Sequence, residues 1–149
     1  MTPVFLDFDS KFFFQLLFST AFIGPAILVI EITLVAQTAG IILGFFLALG
    51  RISRNPLFKV PVDLYLWVFR GTPLILQILF IYDGTAEIFN NPAFLYPITR
   101  NAVVAGTLAL ALNEAAYMTE IIRAGLQAVD PGQVDAAKAL GMKIGRAHV

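Results

Sequence analysis

The sequence predicts an all-α membrane protein with about three transmembrane helices and, after them, a short cytoplasmic helix. Three observations lead there. Of the 149 residues, 58% are hydrophobic and 13% charged, with a mean hydropathy of +0.81, whereas soluble domains usually carry about 25% charged residues. Long apolar runs alternate with short segments that hold most of the charges. The basic residues gather in two of those segments, between the first and second runs and beyond the third.

The same composition excludes several function classes. Ten basic and ten acidic residues cancel, so nothing electrostatic favours nucleic acid as a partner. There is no cysteine, which excludes disulfides, thiolate metal sites and cysteine catalysis while leaving the compartment open. The single histidine, His148, lies at the very end. No catalytic or metal-ligating constellation is expected.

A helix needs roughly 20 mostly apolar residues to cross a hydrocarbon core of about 30 Å. The first apolar stretch runs from Phe12 to Gly50 and is interrupted by one charge, Glu31. Two arrangements fit it. In one, Phe12 to Ile23 lies along the interface, inside an N-terminal segment of residues 1–25, and Ala26 to Gly50 spans, with Gly24-Pro25 as the break. In the other, two spans meet at a tight turn near Glu31. The first is preferred, because no turn residues flank Glu31. No small-residue cleavage site follows the run, so a removable signal peptide is not expected. Ala36, Gly40, Gly44 and Ala48 recur every fourth residue. Such a stripe lets another helix approach closely in lipid, where apolar burial gives no net drive. Helix packing within the chain is the simpler use of Gly40 and Gly44, and contact between copies the other.

RISRNPLFK follows, a short basic loop around an Asn-Pro break. The second span is expected from about Val62 to Tyr82, and the third from about Asn101 to Ile122. The loop between them, DGTAEIFNNPAFLYPITR, has Arg100 as its one base. Beyond the third span lie Arg123, Lys138, Lys143 and Arg146. The positive-inside rule then puts the basic loop and the tail in the cytoplasm and the N-terminus outside, which agrees with an odd number of spans.

Polar groups at membrane depth mark the candidate site. In VDLYLWVFRGTPLILQILFIY, Asp63, Trp67, Arg70, Leu74 and Gln77 fall at steps of four and three, so a continuous helix would align them on one face. A base in mid-span costs on the order of 3 kcal/mol on insertion scales and normally faces protein or water. Arg70 therefore either anchors the fold, with Asp63 as a partner, or lines a solute path; it can also snorkel toward the headgroups. Pro73 cannot donate a backbone hydrogen bond and frees the carbonyl of Phe69, which predicts a kink after Gly71. In the third span Asn113, Ala116, Tyr117 and Glu120 share a small, polar stripe. Glu120 can pair with Arg123 one turn later. Glu114 beside the stripe faces a cavity, a substrate or a neighbouring helix. Arg70, Gln77, Asn113, Glu114 and Tyr117 are the candidates for a substrate path. Several half-polar helices around a shared route describe a transporter or channel better than an anchor.

The stretch VDPGQVDAAKALGM has its own signals. Asp130 is a candidate N-cap, Pro131 fits the first helical position, and Gln133 can complete a capping box. Gly141 is placed to end the helix. Alone in water so short a helix would not persist, so it is either a docking element or an ordinary loop helix.

DAAKALG resembles the EAA loop of the membrane subunits of ATP-binding-cassette (ABC) transporters, with Asp135 where that family usually has Glu, and with Ala136, Ala137 and Gly141 matching. FRGTPLILQ, NEAAYMTEIIRAGLQAVDPGQ and LALGRISRNP resemble, more specifically, the permeases of bacterial ABC uptake systems for polar amino acids. The resemblance implies a permease domain over residues 26–142, the first part of a longer one of five or so helices, in the bacterial inner membrane, with residues 143–149 (KIGRAHV) departing from the pattern. It implies that the short helix couples to a separate ATPase subunit through Gly132, Asp135, Ala136, Ala137 and Gly141. It further implies a second permease subunit, same or homologous, an extracytoplasmic solute-binding protein and a polar amino-acid substrate. ATP and Mg would sit in the partner ATPase, with no cofactor on this chain; no GxxxxGK[ST] phosphate loop occurs in it. Two other classes stand beside this one: an ATP-independent carrier or channel subunit, and a membrane assembly factor using the Gly40/Gly44 face.

Overall fold

The structure, a computed structural model, describes residues 9–88, 98, 101–128 and 131–141. Among them the longer elements are all helices, and no strand occurs. Helix α1 (Ser10–Leu17) starts on Asp9, whose carboxylate accepts the Phe12 amide at 3.0 Å. Its eight residues give about 12 Å, too short to span.

Helix α2 (Thr20–Ile52) has 33 residues, about 50 Å. It passes without interruption through Gly24, Pro25 and Glu31. The break expected at Gly24-Pro25 therefore lies at Phe18-Ser19 instead. Ser19 is extended (ψ 155°) and turns its hydroxyl back to the Leu16 carbonyl at 2.6 Å. Pro25, in the second turn, forfeits only the bond to Ala21 in an exposed first turn. No turn forms at Glu31. The uncharged run Ile32 to Gly50 is long enough for a core of about 30 Å, which leaves Glu31 at its edge.

Asn55 caps helix α3 (Pro56–Gly71) by accepting the Leu57 amide at 3.0 Å, and Pro56 occupies the first turn where its missing N–H is harmless. Thr72 and Pro73 are extended, and the chain resumes as α4 (Leu74–Leu79), a π-helical turn (Phe80–Gly84) and the single turn α5 (Thr85–Ile88). The two halves meet at 109°. The kink after Gly71 is thus present but far larger than a straight Val62–Tyr82 span allows. Asp63, Trp67, Arg70, Leu74 and Gln77 consequently do not share a face: Gln77 is buried while Trp67 is 75% exposed.

Helix α6 (Ala102–Gln127) is capped by Asn101, which accepts the amides of Val103 and Val104 at 3.0 and 3.2 Å. It continues five residues past the expected end at Ile122, because RAGLQ holds nothing that would stop a helix. Among the described residues two helices, α2 and α6, are long and apolar enough to cross a membrane, and the broken pair α3–α4 makes a third if it counts as one span.

The main contact joins α2 to α6, and it is made by small residues. Ala36, Gly40, Gly44 and Ala48 are the buried positions of α2, and they face a helix whose buried positions include Ala105, Ala109, Ala111, Ala115 and Ala116. A Cβ on Gly44 would stand 2.7 Å from the Met118 Cβ and 3.0 Å from the Ala115 carbonyl oxygen; one on Gly40 would stand 2.8 Å from the Glu114 Cβ. The small stripe thus serves packing within the chain. On α3, Val62 and Leu66 close over Ala116, with Leu47, Tyr65 and Phe69 around them. The Tyr65 hydroxyl donates to the Leu112 carbonyl at 2.5 Å.

Candidate functional site

Two polar clusters stand where α3 meets α6. The first repairs the break. Pro73 leaves the Phe69 carbonyl without its helical donor, and in a membrane an unmet backbone group costs several kcal/mol. The Gln77 side-chain amide donates to that carbonyl at 2.8 Å and to the Thr72 carbonyl at 3.1 Å. Asn113, reaching from α6, donates to the Gln77 side-chain oxygen at 3.1 Å and approaches the Phe69 carbonyl at 3.3 Å. Two of the expected path residues, Gln77 and Asn113, are therefore brought together, but as a clasp on the bend. The concave side of the bend forms a cavity of about 410 Å³ lined by Val68, Phe69, Thr72, Leu76, Gln77, Phe80 and Ile81.

The second cluster centres on Glu120. Arg70, in the last turn of α3, donates to its carboxylate at 3.0 Å, and Arg123, one turn further along α6, donates at 3.0 and 3.1 Å. Arg51, in the last turn of α2, meets the same carboxylate and also pairs with Asp63 at 3.2 Å. Arg123 reaches on to Gln127. Asp63 is thus the partner of Arg51, and the expected Asp63–Arg70 pair is replaced by Glu120–Arg70. The expected Glu120–Arg123 pair forms. Arg70 also lies over the Tyr117 ring, 5.8 Å from its centroid, within the range of a cation–π contact. Three arginines against two carboxylates leave one positive charge over. Beside the cluster a cavity of about 540 Å³ is lined by Arg51, Asp63, Leu66, Trp67, Arg70, Gly71 and Tyr117.

Glu114 belongs to neither cluster. It accepts a hydrogen bond from Gln37 of α2 at 3.2 Å and packs on Gly40, so among the alternatives it faces a neighbouring helix. The residues that sequence reasoning did not single out are Arg51, Glu120 as a shared acceptor, and Gln37. The signal was there for Glu120: a mid-span arginine demands a carboxylate, and the chain offers few at that depth. Choosing among them needs the bend.

Beyond α6, helix α7 (Pro131–Ala139) stands out from the rest, with Gly132, Gln133, Asp135, Ala136 and Ala139 exposed. The Leu140 amide closes on the Ala136 carbonyl at 3.1 Å, and Gly141 follows at φ +75°. That left-handed residue ends the helix as expected. Leu140 is 81% exposed. Asp130, the expected cap, and the 143–149 tail lie outside the described residues.

Bent helix, small-residue seam and exposed short helix all fall within residues 40–147 or adjoin them, and that range matches the family described as the binding-protein-dependent transport system inner membrane component. The chain belongs to that family. Among its relatives it is similar to an arginine transport system permease protein of Corynebacterium glutamicum (42% identity, 85% of this chain and 42% of the relative). It is also similar to an octopine transport system permease protein of Rhizobium radiobacter (39%, 92% and 56%) and to the histidine/lysine/arginine/ornithine transport system permease protein of Escherichia coli (38%, 80% and 51%). A solved structure described as an amino acid ABC transporter with histidines superposes with a TM-score of 0.66 at 43% identity, over 81% of this chain and 53% of that one. The chain spans about half the length of the curated relatives it matches.

Proposed function

We propose that this chain is membrane subunit material of an ABC importer that passes a polar amino acid across the cytoplasmic membrane, with ATP and Mg handled by a separate ATPase subunit. The observation that carries this reading is α7. A nine-residue helix too short to persist alone stands exposed, ends on a left-handed glycine, and bears the DAAKALG run. Such a helix fits a groove on a partner. Gly132, Asp135, Ala136, Ala137 and Gly141 would form the seat, and Arg70, Gln77 and Asn113 would act through the helices that frame the path. Tyr117 remains its candidate on α6, whereas Glu114 is engaged by Gln37 of α2. The relatives' names, all for amino-acid or octopine transport, support the substrate class. A second permease subunit and an extracytoplasmic binding protein complete the assembly, and the basic loop and α7 face the cytoplasm.

The test uses the full-length subunit assembled with its ATPase in lipid nanodiscs. A β-branched residue is strained at φ +75°, so Gly141→Val is expected to lower substrate-stimulated ATP hydrolysis at least about fivefold, the low end of usual coupling factors. Ala137→Leu should do the same by bulk. Unchanged stimulation in both variants would remove the coupling assignment.

A further inference from the structure

We propose that Glu120 is the junction through which movement of α7 reaches the broken helix α3–α4, with Arg70 as its releasable contact. The inference rests on the coupling role proposed for α7 and adds the route inside the membrane.

The geometry points there from three sides. Glu120 and Gln127 lie on one uninterrupted helix, about two turns apart, and α7 begins at Pro131, soon after that helix ends. Arg123 bonds both Glu120 and Gln127, which stiffens this last stretch of α6. A displacement that reaches the end of α6 therefore carries Glu120 with it. Glu120 in turn holds the last turns of both α2 and α3, through Arg51 and Arg70.

The two arginines are not equivalent. Arg51 is 27% exposed and has a second anchor in Asp63; it keeps α6 tied to α2, where Gly40 and Gly44 bring the two helices into close contact. Arg70 is 44% exposed, lies two residues before the extended pair Thr72-Pro73, and has two holds on α6. One is the Glu120 carboxylate at 3.0 Å, and the other the Tyr117 ring at 5.8 Å, one turn earlier. Both contacts are made at once and fasten the last turn of α3 to α6. The adjoining groove of about 540 Å³ gives the Arg70 side chain room to leave the carboxylate. Packed interfaces shift between discrete arrangements rather than deforming continuously, and release of Arg70 from Glu120 would free α3 to swing about the break while Arg51 keeps α2 and α6 joined. Asp63 and Arg51 are the other charges lining the groove beside Arg70, and Asp63 is occupied by Arg51.

The experiment compares wild type, Glu120→Gln, Arg70→Gln and the double variant of the full-length subunit with its ATPase in nanodiscs. It reads ATPase binding by pull-down and substrate-stimulated hydrolysis separately. The expected result is retained ATPase binding with stimulation lowered at least about fivefold in each single variant, and a double variant no worse than the singles. Full stimulation in Arg70→Gln with ATPase bound overturns the relay and leaves the coupling role of α7 standing, since the Gly141→Val response tests that independently. Additive losses that track falling assembly also overturn it, because they are what a merely structural ion pair gives. If Glu120→Gln does not assemble, Arg70→Gln decides alone. A wild-type subunit that neither binds nor stimulates an ATPase overturns both readings.

Discussion

At Gly44 the distance between two helices is set by a hydrogen atom. Because a Cβ there would meet backbone atoms of α6 at 3.0 and 3.2 Å, Gly44→Ala has to push α2 and α6 apart. The expected loss is about 1–3 kcal/mol, typical of overpacking, read as a lower melting temperature of the purified chain in detergent. Gly24→Ala, where nothing lies within 4 Å, should leave it unchanged, and equal melting of both variants would show that the seam tolerates a methyl group. The hydroxyls follow an equally local rule: Thr33, Thr38, Thr72 and Thr107 each donate to the carbonyl four residues back at 2.7–2.8 Å, so each polar group enters the apolar run already satisfied. The seam was legible in the sequence because residue size repeats with the helix period. The partner of Arg70 was not, because Asp63 and Glu120 are both plausible until the chain's direction after Gly71 is known.

Among the elements, α3 and α4 show how a broken helix is held. Two extended residues, one of them a proline, begin the bend, but Gln77 and Asn113 keep it, by occupying the Phe69 carbonyl that a straight helix would use. Pro73→Ala restores a backbone donor that competes for that carbonyl, so the bend should relax. Spin labels at Leu64 and Leu79, both exposed, on this cysteine-free chain should then move apart, toward the roughly 22 Å of a continuous helix. An unchanged distance would mean that the side-chain clasp sets the angle without the proline. The position of the kink could be read from Pro73 alone, since it follows from one missing N–H. Its size could not, since it depends on which side chains take the freed carbonyl, and Asn113 comes from another helix. The break before α2 was misplaced for a related reason: a proline near a helix start is cheap to keep, and Ser19 carried the weaker signal.

Across the whole molecule, charge places the ends and small residues join the middle. If α3–α4 crosses the membrane as one broken span, Arg54 and Leu140 lie on one side and Glu87 on the other. Single cysteines at these positions, probed with a membrane-impermeant maleimide in sealed right-side-out vesicles, should label at 87 at once and at 54 and 140 only after lysis. The reverse pattern would invert the topology, and labelling of 54 and 87 from the same side would make the pair a re-entrant loop. Membrane character and the number of apolar runs were readable from composition and period, and the short helix α7 from its capping signals. The Glu120 cluster, drawn from three helices, was not, because charge pairing over such separations exists only once the helices are assembled. The clasp bears on how the chain is made. Asn113 lies 36 residues beyond Gln77, so a ribosome delivers the bent segment well before the side chain that completes its hydrogen bonding. Until α6 is made, Gln77 can already take the Phe69 carbonyl, but its own side-chain oxygen lacks the Asn113 donor. Synthesis order thus makes the bend a feature that is begun locally and finished only by a later helix.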